Sequence, residues 1–271
     1  MDHSAHAGHP APAIPQGLQV AEQGYRITPP FHTADAGTSR IEFTIVGPDG
    51  TPVTDFDERH DKRLHFIAAQ RDTSVFHHLH PRMDAAGLWS VEVDLTPGVW
   101  RLSADFAPTG ADTALTLGAD LAVPGDFRPR PLPEPSATST IDDYTVTLAG
   151  DLAAGRGTEL RATVTRAGVP VTDLQPYLAA YGHLVALRAG DLAYLHIHPE
   201  GDPADPTTPA GPDIRFHAVA PSAGTYRLFL DFRHGGTVRT ADFTLTVDDT
   251  PTEHTAAPPA PHHAGHGHHH H

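Results

Sequence analysis

Cysteine is absent from the 271-residue sequence, lysine occurs once, as Lys62, and methionine twice. Without cysteine there is no disulfide, iron–sulfur cluster, thiolate zinc site or cysteine-ligated blue copper centre. No apolar run approaches the length of a membrane-crossing helix, and no signal-peptide pattern is visible. Amphipathic helices are missing too; the best candidate, Leu174 to Tyr181, is short. Positive charge is scarce, with 18 Lys and Arg against 33 Asp and Glu and a formal net charge of −15. Such a surface repels nucleic acid and anionic lipid, which argues against both as partners, and attracts cations.

Histidine is plentiful instead, at 22 residues. Eleven lie near the two ends and eleven inside. Residues 1–18 and 249–271 are rich in Pro, small residues and His, and read as disordered tails. The C-terminal run from His262 to His271 has two readings, a purification tag or a natural tail that gathers divalent metal at low affinity. His32, His77 and His254 read as ordinary surface residues.

Between the tails, short runs of alternating apolar residues such as Ile41-Glu42-Phe43-Thr44-Ile45 and Tyr144-Thr145-Val146-Thr147-Leu148 are separated by Gly, Pro and Asp. Period two with frequent turn signals predicts an all-β chain of antiparallel β-sandwiches, Ig-like or cupredoxin-like. A Pro-rich stretch, 125–138, reads as an extended linker between a first domain at 19–124 and a second at 139–248.

The halves are an internal duplication. Gly50–Pro81 aligns with Gly168–Pro199 without gaps, and ten of the 32 positions are identical. The match resumes from Gly98-Val99-Trp100-Arg101-Leu102 to Gly224-Thr225-Tyr226-Arg227-Leu228 after eight extra residues in the second copy, within Glu200–Asp213. Three identities are histidines: His65, His78 and His80 match His183, His196 and His198. Histidine is uncommon in strands, so the shared trio needs a reason beyond the framework.

A hairpin supplies one. With a turn centred between Asp72 and Thr73, His65 faces His80 directly and His78 shares their sheet face. In the second copy a two-residue turn at Gly190-Asp191 sets His183 opposite His198, with His196 on the same face. Opposed Cβ atoms lie about 4.5–5.5 Å apart, so each triangle of imidazoles can converge on one ion at about 2.0–2.1 Å. Three neutral imidazoles suit Cu²⁺ or Zn²⁺, with Cu⁺ possible in a His₃ set. For a fourth position the candidates are His60, Asp105 and Met83 in the first copy and His217, Asp231 and His234 in the second. His217 and His234 lead us to expect tighter binding in the second copy.

Several segments also resemble a family of actinobacterial exported proteins: Asp173-Leu174-Gln175-Pro176-Tyr177-Leu178, Tyr194-Leu195-His196-Ile197-His198-Pro199, Phe232-Arg233-His234-Gly235-Gly236, and in the first half His78-Leu79-His80-Pro81. Members usually carry an N-terminal membrane segment before a His-rich stretch, and are mostly uncharacterised or heavy-metal-associated. The resemblance implies a location outside the cytoplasmic membrane, secreted or held by an anchor in the full-length natural protein.

The expected function is extracytoplasmic sequestration or delivery of copper or zinc, with metal ions and a metal transporter or cuproprotein as partners. Two alternatives stand beside it: a tandem β-sandwich interaction module with structural histidines, and a His₃ metalloenzyme. The enzyme reading is the weaker, because no general base, nucleophile elbow or phosphate loop is evident. A pH sensor shares every feature of the metal reading, since protons and metals compete for the same nitrogens.

Overall fold

The computed structural model describes residues 14–29 and 31–248; the rest of both tails lies outside the described residues. The described residues contain no helix. Nine strands fall in the first half: β1 (Ala21–Glu22), β2 (Tyr25–Thr28), β3 (Gly37–Val46), β4 (Leu64–Gln70), β5 (Phe76–Leu79), β6 (Arg82–Met83), β7 (Leu88–Leu95), β8 (Gly98–Phe106) and β9 (Leu115–Val123). Nine follow the Pro-rich stretch: β10 (Thr138–Ile141), β11 (Tyr144–Ala149), β12 (Gly157–Arg166), β13 (Val169–Pro170), β14 (Gly182–Arg188), β15 (Tyr194–Pro199), β16 (Asp213–Val219), β17 (Gly224–His234) and β18 (Thr237–Val247).

Each half is an antiparallel sandwich, so the chain is a tandem of two all-β, Ig-like domains. In the first, a sheet β1-β2-β3-β7-β6 packs on a sheet β5-β4-β8-β9. The inward residues of both, among them Phe43, Phe66, Trp100 and Phe106, form one core. In the second, β10-β11-β12-β16 continues through β15 into β14-β17-β18, around a core that includes Tyr144, Phe216, Tyr226 and Phe243. Leu174–Tyr181, the helix candidate, holds a tight turn in which Tyr177 and Ala180 exchange both backbone hydrogen bonds. A turn of this length closes with two hydrogen bonds, whereas one turn of isolated helix is marginal.

β4 is buried along its whole length. Its even-numbered residues, Leu64, Phe66 and Ala68, point into the first core, and the odd-numbered Ile67 and Ala69 meet the second domain. There they join Val185, Leu187, Leu192, Tyr194 and Phe229 in a third apolar cluster. Phe76 stacks on Phe229 with ring centroids 4.0 Å apart, a pair worth about 0.5–1.5 kcal/mol beyond its area. The outer faces of two equivalent sheets are thus pressed together.

The segments flanking the domains are tied down as well. Residues 14–18, assigned above to a disordered tail, belong to the folded body. Gly17 donates its amide to Thr116, Tyr194 donates to the Gln16 carbonyl, and the Arg101 guanidinium donates to the Gly17 carbonyl. The chain before β1 therefore straps both domains, using backbone groups that composition does not reveal. In the Pro-rich stretch, the Arg130 amide donates to Asp72.

Candidate metal centre

Both hairpins have the register inferred from the sequence. In β4 and β5, Phe66 pairs with Leu79 and Ile67 with His78. In β14 and β15, Leu184 pairs with Ile197 and Val185 with His196. The connection around Gly190-Asp191 is longer than two residues, spanning 189–193, but Leu187 still pairs with Tyr194, so no strand slips.

The first trio closes. One ring nitrogen from each of His65, His78 and His80 lies within 4.8 Å of the others. The ring centroids are 5.2 Å apart for His65–His78, 5.1 Å for His65–His80 and 4.9 Å for His78–His80. Imidazoles that share one tetrahedral ion at the usual bond length have centroids about 5 Å apart.

Hydrogen bonds fix the tautomers. His65 Nε2 lies 3.0 Å from the Arg59 carbonyl, which can only accept, so neutral His65 carries its proton there and Nδ1 is bare. His78 Nδ1 lies 2.9 Å from Asp231 Oδ2, so neutral His78 donates to that carboxylate and Nε2 is bare. These two bare nitrogens face each other at 3.0 Å. Two lone pairs at that distance repel unless a cation, proton or metal, is shared between them. Burial, then the neighbouring His78, pushes His65 down to about 4. His80 Nε2 is buried with no hydrogen-bond partner among the described residues. Burial, then His78 and His65, pushes its imidazole down to about 2.

The second trio is described only in part. β15 leaves β14 after Ile197 and turns to β16, where His198 pairs with His217. His198 and His217 are exposed, whereas His183 is buried at the domain boundary. His196 is described by its backbone alone; its side chain lies outside the described residues. His183 instead joins the first trio's neighbourhood, with ring centroids 6.4 Å from His65 and 6.2 Å from His78. Its Nε2 faces the Tyr177 carbonyl at 2.8 Å, and burial pushes it down to about 4. Among the described residues, therefore, the second copy brings His183 to the cluster built by the first trio.

The weaker candidates separate clearly. Asp231, 5 % exposed, reaches across the boundary to His78 and accepts a second hydrogen bond from Thr240. Asp105, 4 % exposed, is the strand partner of His65 and accepts from the Tyr194 hydroxyl of the other domain. His60 sits 5.2 Å from His183, centroid to centroid. Met83 is a strand partner of Trp89 and packs on the first core, and His234 is held between the Tyr144 hydroxyl and Asp173. With His234 committed there and His217 on the exposed outer face, neither is placed to strengthen a site at His183. His60, His65, His78 and His183 line a cavity of about 20 Å³, room for one water or ion.

A family model described as Domain of unknown function (DUF8832) matches residues 19–122 and, again, 139–249. No curated protein matches the chain. Similar solved structures include a chimeric titin Z1Z2-Z1Z2 tandem, 14 % identical over 83 % of this chain and 99 % of that one, with a TM-score of 0.22. The fibronectin(III)-like modules of Clostridium thermocellum CbhA are 13 % identical over 89 % and 100 %, with a TM-score of 0.23. Domains 4 and 5 of the S-layer protein SbsC are 9 % identical over 84 % and 98 %, also at 0.23.

Proposed function

The chain belongs to the DUF8832 family, carrying the domain twice, and on that premise we propose that it binds a transition-metal ion between its two domains. His65, His78 and His80 are the ligands, and Asp231 of the second domain orients His78 from behind. The observation that carries this reading is the approach of His65 Nδ1 and His78 Nε2 to 3.0 Å, each ring with its other nitrogen against an acceptor, and His80 beside them. A carboxylate behind a ligating imidazole fixes its tautomer and raises its basicity, a common arrangement around protein-bound metals. Three imidazoles without sulfur suit Zn²⁺ or Cu²⁺. The 20 Å³ cavity that His65 and His78 line has room for an ion, and sequestration or delivery is the reading we put before catalysis. Placement outside the cytoplasm rests on the resemblance noted in the sequence, and a transporter or cuproprotein is the recipient we propose for delivery.

The test is a calorimetric Zn²⁺ titration of the full-length chain with its eleven terminal histidines replaced by Gln, which removes tail binding. Micromolar or tighter binding, lost in the H65A/H78A/H80A variant, supports the reading. Absence of binding for Zn²⁺, Cu²⁺ and, anaerobically, Cu⁺ refutes it. The same nitrogen pair supports one other reading, a proton-operated lock between the domains, and that outcome would favour it.

A further inference from the structure

His60 and His183 lie outside the triad, and ring spacing sorts the described imidazoles of the cluster into two sets. Within the triad, centroids are 4.9–5.2 Å apart. His60 and His183 are also 5.2 Å apart, and nearly perpendicular. Between the sets the separations widen to 6.2 Å for His60–His65, 6.4 Å for His65–His183 and 6.2 Å for His78–His183. The pair therefore has the spacing of two ligands to one ion, but stands too far off to share a tetrahedral ion with the triad. Both residues line the 20 Å³ cavity.

Each partner is held in place. His183 has Nε2 committed to the Tyr177 carbonyl, leaving Nδ1 as its ligand atom. His60 sits at φ +50 in a turn closed by two hydrogen bonds between Arg59 and Lys62, a left-handed conformation that side chains rarely adopt. The second copy has the same turn between Tyr177 and Ala180, with Leu178 at φ 54 in the place of His60. The turn thus has no need of an imidazole, yet the first copy supplies one and directs it at the other domain.

We propose that His60 and His183 hold a second metal ion across the domain boundary, beside the ion of the triad, with water completing its coordination. This rests on reading the triad as a metal site. Both ions would then lie within one cluster, and the second would be bound only while the domains are docked.

The experiment is the Zn²⁺ titration of the full-length chain lacking terminal histidines, repeated on H60L and H183Q. H60L copies the residue that the second copy carries in the same turn, so the fold is retained. The expected stoichiometry is two, falling to one in either variant while the affinity of the remaining ion is unchanged. A stoichiometry of one that H60L leaves as it was overturns the second site and leaves the triad reading standing. Two ions that persist in H65A/H78A/H80A overturn the triad reading itself. Loaded with two equivalents of Cu²⁺, the protein should give an electron paramagnetic resonance spectrum broadened by dipolar coupling, and H60L should abolish the broadening. A magnetically isolated Cu²⁺ signal in the unsubstituted cluster counts against the proposal.

Discussion

The two copies share a hairpin, its register and three histidines, and they use them differently. In the first, β5 ends at Leu79, and His80 stays beside His65. In the second, β15 runs on to Pro199 and pairs with β16, so His198 sits opposite His217 on an exposed face. The eight extra residues lie between those two strands, where the second copy builds a different connection. The second domain contributes His183 and Asp231 to its neighbour's cluster. Duplication has produced a framework and a partner for it.

The largest expected effect on this asymmetry is removal of the triad. H65A/H78A/H80A should cost at least 100-fold in Zn²⁺ affinity, whereas H198A/H217A should change the tightest binding less than about 2-fold. Equal losses from the two variants, read by calorimetry, would return the centre to a symmetric pair of sites.

Next is Asp231. D231N keeps the shape but weakens the acceptor behind His78, and should lower affinity by about 10–100-fold. D173N removes a carboxylate that contacts His234 and should leave affinity unchanged. A D231N protein with unaltered affinity would mean that the second domain only covers the site.

Acid should act through the same histidines. In the metal-free protein His65 and His183 are depressed to about 4 and His80 to about 2, against about 6.5 when unfolded. As pH falls below 6.5 the unfolded chain takes up these protons and the folded one does not. Stability is therefore full above that value and declines progressively below it, as the unfolded chain takes up protons that the folded one refuses. Tm should fall between pH 7 and pH 5, and less so in H65A/H78A/H80A, which lacks two of the depressed groups. A flat Tm over that range would show that the imidazoles are not desolvated.

The smallest effect concerns docking. F76A removes the stack on Phe229 and should lower Tm by a few degrees. It should also weaken ion binding modestly, because His78 and Asp231 then meet less often. Unchanged affinity together with the lower Tm would separate docking from binding.

The sandwich class, the duplication and both hairpin registers were legible in the sequence, because period-two alternation and a turn centre determine which residues face each other. The first trio was legible for the same reason. What escaped was everything that depends on one domain meeting the other: the reach of Asp231 to His78, the pairing of His60 with His183, and the strap at Gln16 and Gly17. A signal was present in Ile67, Ala69, Val185 and Leu187, apolar residues on what would otherwise be the solvent face of β4 and β14. A strand apolar on both faces is a strand covered on both faces. The departure of β15 toward β16 left no comparable mark, since it depends on where the longer connection lets the strand go.

The central claim is that His65, His78 and His80 surround one ion. Zinc-edge X-ray absorption on the full-length chain without terminal histidines, loaded with one equivalent of Zn²⁺, tests it most directly. The account predicts a first shell with three imidazole nitrogens at about 2.0–2.1 Å, reduced when His80 is replaced by Ala. A shell of oxygen ligands alone, unaltered by that replacement, would contradict it.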